Sequence, residues 1–293
     1  MKIKNLLIVV SIMLASACIS VADTSPRRIV SLIPSGTEIL FALGIGDEVV
    51  GVTKYCRYPP QAQDRPKVGG VLDTSFEAVA RLEPDLCVID ITSESQIEIL
   101  RKIGCDVAAI ETRSIDDILK SITKLGQVLG RERQAAEVTQ ELKNKIIAVK
   151  AKVAGRPQPT VLITFLRPMG DGQIREVYIA GNHTFFNDLI TIAGGVNAYQ
   201  GSKVISSPVV TAEGILQMDP DIIIEAATEL AESGIKPEAI LKDWDMLSEL
   251  KAYQNKQIHV LTQPYIGIPG PRVSQALEDI ARLVHPELDW GTP

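Results

Sequence analysis

Residues able to do covalent chemistry are few and scattered in this chain. Its three histidines, His183, His259 and His285, are far apart, and no G-x-S-x-G, Walker A, G-x-G-x-x-G or H-E-x-x-H pattern occurs. A zinc or manganese site needs several convergent imidazoles and carboxylates, which three separated histidines do not supply. No C-x-x-C spacing occurs either. The expectation is therefore no enzyme, no catalytic residue, no metal site and no cofactor. A secreted α/β enzyme using glutamate or aspartate acid–base chemistry is the remote alternative. His259 falls within a strand pattern and His285 near the end of the last helix, both structural positions. His183, in the loop "AGNHTF" just before a helix, is placed to face a ligand.

The groups that suit recognition are better placed. "KYCRYPP", "LRPMG" and "QPYIGIPGPR" each follow an apolar run that reads as a strand. Ligands of open parallel sheets lie beyond the carboxyl ends of the strands. These loops present Tyr55, Arg57, Tyr58, Phe165, Arg167 and Tyr265. Aromatic residues make up only 4% of the chain, so several at strand ends point to a flat ligand held by apolar walls and a few polar contacts. Tyr58 and Tyr265 stand beside prolines, where packing their own loops is an equal reading.

A second pattern is an echo. "SFEAVARLEPDLCVID" (75–90) and "TAEGILQMDPDIIIEA" (211–226) match at a constant offset, Glu77 with Glu213, Pro84 with Pro220 and Asp85 with Asp221. Ser75 and Thr211 are the expected helix N-caps, which puts each glutamate in a first turn, where a carboxylate favours the helix dipole. As a pair on two similar halves, the same acids would form two knobs on one face.

The elements that must hold these residues alternate. Strand patterns at 27–33, 48–53, 86–90 and 105–111 are separated by short helical ones, including 95–103. Ser35 and Glu38 have capping-box spacing at the start of the first helix. From Ser114 to Ala154 only helical periodicity remains, with "LGRER" dividing it and "GRPQP" ending it. Strands then resume at 160–166 and 176–180, with a helix at 184–195, the echoed unit, the strand "QIHVL" and a helix over 272–284. Alternation of this kind specifies an α/β fold with covered parallel sheets. Two such halves joined by one long helix also suit 293 residues, a length at which single cores divide.

Lys2 and Lys4 precede a short apolar stretch ending in small residues, the order of a secretory signal. Cleavage after Ala22 gives a soluble periplasmic protein, and cleavage before Cys18 a lipid-anchored one. No later segment approaches the roughly 20 apolar residues of a membrane span. Cys87 and Cys105 fall near neighbouring strands, so export permits a disulfide between them, and buried free thiols are the other reading. A net charge of −6 disfavours nucleic acid as a partner.

Four segments, "RIVSLIPSGTEILFALGIGDEVVGVTKYCRYPP", "FEAVARLEPDLCVI", "GGVNAY" and "PGPRVSQALEDIARLVHPEL", together resemble the ABC-transporter substrate-binding proteins for cobalamin, ferric siderophores and heme. "TKYCRYPPQA" is most similar to the cobalamin-binding members. The resemblance implies two Rossmann-like lobes with central parallel sheets, at 27–130 and 159–290, bridged by a long helix within 131–156. It implies a monomeric receptor that holds a corrinoid, or alternatively a ferric siderophore or heme, in the interlobe cleft. Tyr55 would pack on the corrin, with Arg57, Phe165, Arg167, His183 and Tyr265 as further contacts. Glu77 and Glu213 would dock on an ABC permease dimer. Cobalamin receptors often carry cleft tryptophans, and the only two here are Trp244 and Trp290.

Overall fold

The computed structural model describes residues 28–228 and 234–291. The signal segment, Cys18 and both cleavage points lie outside the described residues. The first lobe runs β1 (Ile29–Ser31), α1 (Pro34–Ala42), β2 (Val49–Val52), α2 (Phe76–Arg81), β3 (Leu86–Asp90), α3 (Glu94–Lys102) and β4 (Asp106–Ile110). Its sheet has the order β2-β1-β3-β4 and is parallel throughout. Two helices follow, α4 (Ile115–Val128) and α5 (Glu132–Val153), divided at "LGRER". The second lobe contains β5 (Thr160–Phe165), β6 (Glu176–Ile179), α6 (Phe185–Ile192), β7 (Val196–Asn197), β8 (Val209–Thr211), α7 (Ala212–Met218), β9 (Ile222–Ala226), α8 (Pro237–Asp243), α9 (Lys251–Gln254), β10 (Ile258–Leu261) and α10 (Val273–Val284).

The second sheet, ordered β10-β9-β5-β6-β8 with β7 also beside β5, corrects one expectation, because it is mixed. β6 is antiparallel to β5, and β8 is antiparallel to β6. A parallel return needs a crossover of about a dozen residues or more, usually helical. The link over 166–175 contains no helix, so the chain comes back antiparallel.

Strand alternation divides the core into layers. Leu86 and Val88 face one cluster while Cys87 and Ile89 face another; Val161 and Ile163 likewise oppose Leu162. The largest cluster is continuous from the first sheet through α4, α5 and α10 to the inner face of the second sheet. On α5 the buried residues Ala135, Thr139, Leu142, Ile146, Val149 and Val153 recur every three or four positions, the spacing of one helix face. This 22-residue helix is about 33 Å long and runs as a spine along that core.

The capping box expected at Ser35 and Glu38 does not form. Pro34 sits at the first helical position after the N-cap residue Ile33, so Ser35 and Glu38 are both inside α1. Ser35 to Leu40 are all buried, which leaves Glu38 no solvent to face. The echoed caps do form: the Ser75 hydroxyl accepts from the Ala78 N–H, and the Thr211 hydroxyl from the Gly214 N–H.

Candidate functional site

The loop after β2 is shaped by a buried thiol. In "YCRY" one side chain turns inward: Tyr55, Arg57 and Tyr58 are exposed while Cys56 is buried. The Thr37 hydroxyl donates to Cys56 Sγ at 3.0 Å, and Thr53 Oγ1 lies 3.1 Å from the same sulfur. Burial raises the Cys56 pKa, so the thiol stays protonated and acts as an anchor. Gln63 Nε2 donates to the Arg57 carbonyl at 2.9 Å and closes the turn. Lys54 Nζ lies 5.2 Å from the Tyr55 ring centroid and pairs with Asp73 at 3.1 Å.

The opposing wall is aromatic. Phe165 at the end of β5 stacks on Phe186 of α6 (centroids 5.7 Å apart) and on Tyr178 of β6 (6.4 Å), and Phe185 lies 4.2 Å from Phe186. Three of the chain's five phenylalanines are gathered here. The next residue, Leu166, has φ +49° and is 65% exposed. Left-handed backbone costs a non-glycine residue about 1 kcal/mol and concentrates at functional sites. It turns the Leu166 side chain toward the cavity and sends the Arg167 side chain inward.

Between the walls lies a trough of two adjoining cavities. One, of about 560 Å³, is lined by Phe165, Leu166, Met169, Phe186 and Ser207 among others. The second, of about 410 Å³, is lined by Tyr55, Arg57, Tyr58, Gln63, Ile268 and Arg272 among others. Thr228 and Gly267 border both. Each is of small-molecule size, and the lining is apolar and aromatic with a few polar groups.

An ion pair ties the lobes at one end of this trough. Arg272, just before α10, reaches Glu38 of α1 with both Nε (3.0 Å) and Nη2 (2.5 Å). The Tyr58 ring lies 3.7 Å from the guanidinium carbon. Burial raises the Glu38 pKa, and the hydrogen bond and charge of Arg272 oppose the rise. Elsewhere along the interlobe seam, the Ile115 N–H donates to Asp188 Oδ2 at 2.8 Å.

Three expected ligand contacts are placed differently. Arg167 borders the larger cavity, but its guanidinium is sealed behind the wall. Its side chain is 1% exposed and lies 3.0 Å from Glu225 and 2.7 Å from Asp243. Asp243 also accepts from the N–H groups of Gly170 and Gly172, so the motif shapes the loop from inside. Tyr265 donates to Asp279 at 2.7 Å, its phenol pKa pushed up to about 12 by burial and then by that bond, which ties its loop to α10. His183 is exposed beside Arg113, 3.4 Å away, and lines neither cavity. Tyr55, Arg57 and Phe165 do line the trough. Trp244 is wholly buried, and Trp290 packs against the core.

Phe185, Phe186, Leu166 and Arg272 were not legible as wall residues. "TFFNDL" signals a helix start, and only the tertiary fold brings its two rings onto Phe165. Leu166 carries no signal, because a left-handed leucine has no sequence mark.

Glu77 and Glu213 are exposed in the first turns of α2 and α7. Each helix runs back against parallel strands to feed β3 or β9 at its amino end. Both N-termini therefore lie at the carboxyl edges of the sheets. Glu77 pairs with Arg81 one turn on, at 2.5 Å. Among the described residues no group of His, Cys, Asp and Glu is arranged to hold a metal ion, and no helix is long and apolar enough to cross a membrane.

A family of periplasmic binding proteins matches residues 29–265. An uncharacterised ABC transporter substrate-binding lipoprotein of Bacillus subtilis is 30% identical over 269 residues, 89% of this chain and 81% of that protein. A vitamin B12-binding protein of Vibrio cholerae is 27% identical over 256 residues, 87% of each chain. Among solved structures, a periplasmic heme-binding protein from Roseiflexus in apo form superimposes with a TM-score of 0.76 at 26% identity, covering 89% of this chain and 98% of that one.

Proposed function

The chain belongs to the periplasmic binding protein family, and from that premise we propose an extracytoplasmic receptor that binds a corrinoid between its lobes and delivers it to an ABC importer. The observation that carries the ligand class is the trough itself. Tyr55 and Tyr58 stand on one side, and Phe165 and Phe186, with Leu166, on the other. A broad, rigid ring system matches such walls, since aromatic faces supply contact area at little entropic cost. The likeness to a vitamin B12-binding protein supports the same reading.

Purified protein titrated with cyanocobalamin in a calorimeter is expected to show saturable binding, with cobinamide competing. Tyr55→Ala should weaken it about tenfold, the loss of roughly one aromatic contact. Absence of both heat and competition would reject the corrinoid. Heme or a ferric siderophore is the second reading, favoured by Arg57 and Arg272 on the trough, whose guanidinium groups suit ligand carboxylates. Hemin that binds where cyanocobalamin does not, and loses affinity in Arg57→Ala, would establish it.

Glu77 and Glu213 form the permease-docking pair in this proposal. Their position at the carboxyl edges of both sheets supports two acidic knobs presented to a two-fold partner, where opposite charges steer and register the encounter. The combined Glu77→Lys and Glu213→Lys variant should lose uptake while keeping ligand affinity. Unchanged uptake would return both acids to their helix dipoles. The receptor acts outside the cytoplasmic membrane as a monomer, either free or held by a lipid on Cys18.

A further inference from the structure

The first sheet carries a pair of thiols that the ligand site does not use. Cys87 lies in β3, and Cys105 directly precedes β4, the edge strand of the sheet. β4 is hydrogen-bonded in the sheet only to β3, and its register places Cys87 opposite Val107, two residues beyond Cys105. The two sulfurs are 2.9 Å apart, both unbonded, within the outer core cluster formed by Val30, Leu32, Val79 and Ile89. A disulfide requires the sulfurs to close from 2.9 Å to about 2.0 Å.

We propose that Cys87 and Cys105 form a redox-active dithiol that is oxidised to a disulfide and staples the edge strand β4 to β3. The two thiols are not equivalent. Cys87 is wholly buried, whereas Cys105 borders a surface depression lined by Arg101, Gly104, Asp106 and Lys124. The shared hydrogen between the sulfurs lowers the Cys105 pKa, while the same contact and burial raise that of Cys87. Cys105, the thiol on the side of the depression, is the one an external disulfide reaches first, and Cys87 behind it is the resolving thiol.

The oxidant is a disulfide of a small thiol or of a protein. Cys105 Sγ attacks one of its sulfurs, the S–S bond breaks, and the first thiol leaves with the proton that Cys105 gave up. Cys87 then attacks Cys105 Sγ in the mixed disulfide; the second thiol leaves with the Cys87 proton. Two protein thiols are oxidised by two electrons and one disulfide is reduced to two thiols. The product ties β4 to the sheet centre.

The test exposes the reduced full-length protein to oxidised glutathione, denatures and alkylates it, and maps it by non-reducing peptide mass spectrometry. A cross-linked peptide pair holding Cys87 and Cys105, lighter by two hydrogens, is expected, with Cys56 alkylated. Cys87→Ser should stop at a glutathione adduct on Cys105, and Cys105→Ser should leave Cys87 unmodified. Full alkylation of Cys87 and Cys105 in the wild type, or a bond involving Cys56, would overturn the staple. A glutathione adduct on Cys87 in Cys105→Ser would overturn the order of attack. The wild-type map decides the first point whether or not either variant folds.

Discussion

Arg167 and Arg272 make the same kind of contact in two different places. Each presents its guanidinium to a buried glutamate whose pKa burial raises, Glu225 in one case and Glu38 in the other. Arg167 lies inside the second lobe, where Glu225, Asp243 and the Pro168 carbonyl surround it. Arg272 lies between the lobes, 13% exposed, with Tyr58 over one face. Two carboxylates and a carbonyl around a sealed arginine fix a loop. One carboxylate and two aromatic rings, Tyr58 and Tyr265, around a mostly buried arginine join two bodies beside the trough. The sequence offered Arg167 as a ligand contact and did not single out Arg272; the fold buries the first guanidinium and sets the second on the trough wall.

The comparison can be broken by removing each arginine. Arg167→Ala leaves Glu225 and Asp243 buried without a cation and should cost about 3–5 kcal/mol in chemical denaturation. Arg272→Ala should cost less, on the order of 2 kcal/mol, since Glu38 takes up a proton and water reaches the gap. Arg272→Ala should also weaken ligand binding, whereas the fraction of Arg167→Ala that stays folded binds normally. Equal losses of stability and affinity in both variants would erase the distinction.

A third effect is smaller and concerns pH. Glu38 has a raised pKa in the folded protein, so the folded state binds its proton more tightly than the unfolded chain. Its contribution is fully present below the unfolded carboxylate pKa and is lost as pH rises through the folded value. Relative to wild type, Glu38→Gln should therefore lose less stability as pH rises across that window. Parallel stability–pH curves for the two proteins would contradict the assignment.

The smallest effect is one of shape. The α5 spine and the core that continues through both lobes oppose wide closure, which requires hinge residues able to absorb backbone rotation. Small-angle scattering curves with and without cyanocobalamin should nearly superimpose. A large shift would mean that Glu38–Arg272 is a latch rather than a fixed tie.

Much of the fold was legible because it rests on local regularities. Ser75 and Thr211 cap their helices as their types dictate, the "LGRER" break separates α4 from α5, and the strand runs fall within a few residues of their observed limits. The capping box at Ser35 failed because the helix starts at Pro34, two positions earlier than the motif requires. The antiparallel β6 was hidden because a strand's direction depends on the connection that precedes it.

The site divides along the same line. Tyr55, Arg57 and Phe165 could be placed from strand ends because a parallel sheet offers its loops on one edge. Whether a loop side chain then points out or in depends on what waits beneath it. Cys56 and its two threonines turn Tyr55 and Arg57 outward, while Glu225 and Asp243 draw Arg167 inward. By itself the sequence determined the family, through the resemblance of four segments, and, through short-range pattern, the α/β plan in two halves and the two capped helices with their acids. Only the tertiary structure decided which arginine faces the trough, which rings form its wall and which thiols meet. Those choices depend on partners distant in sequence, and burial makes a charge or a thiol seek the one partner within reach.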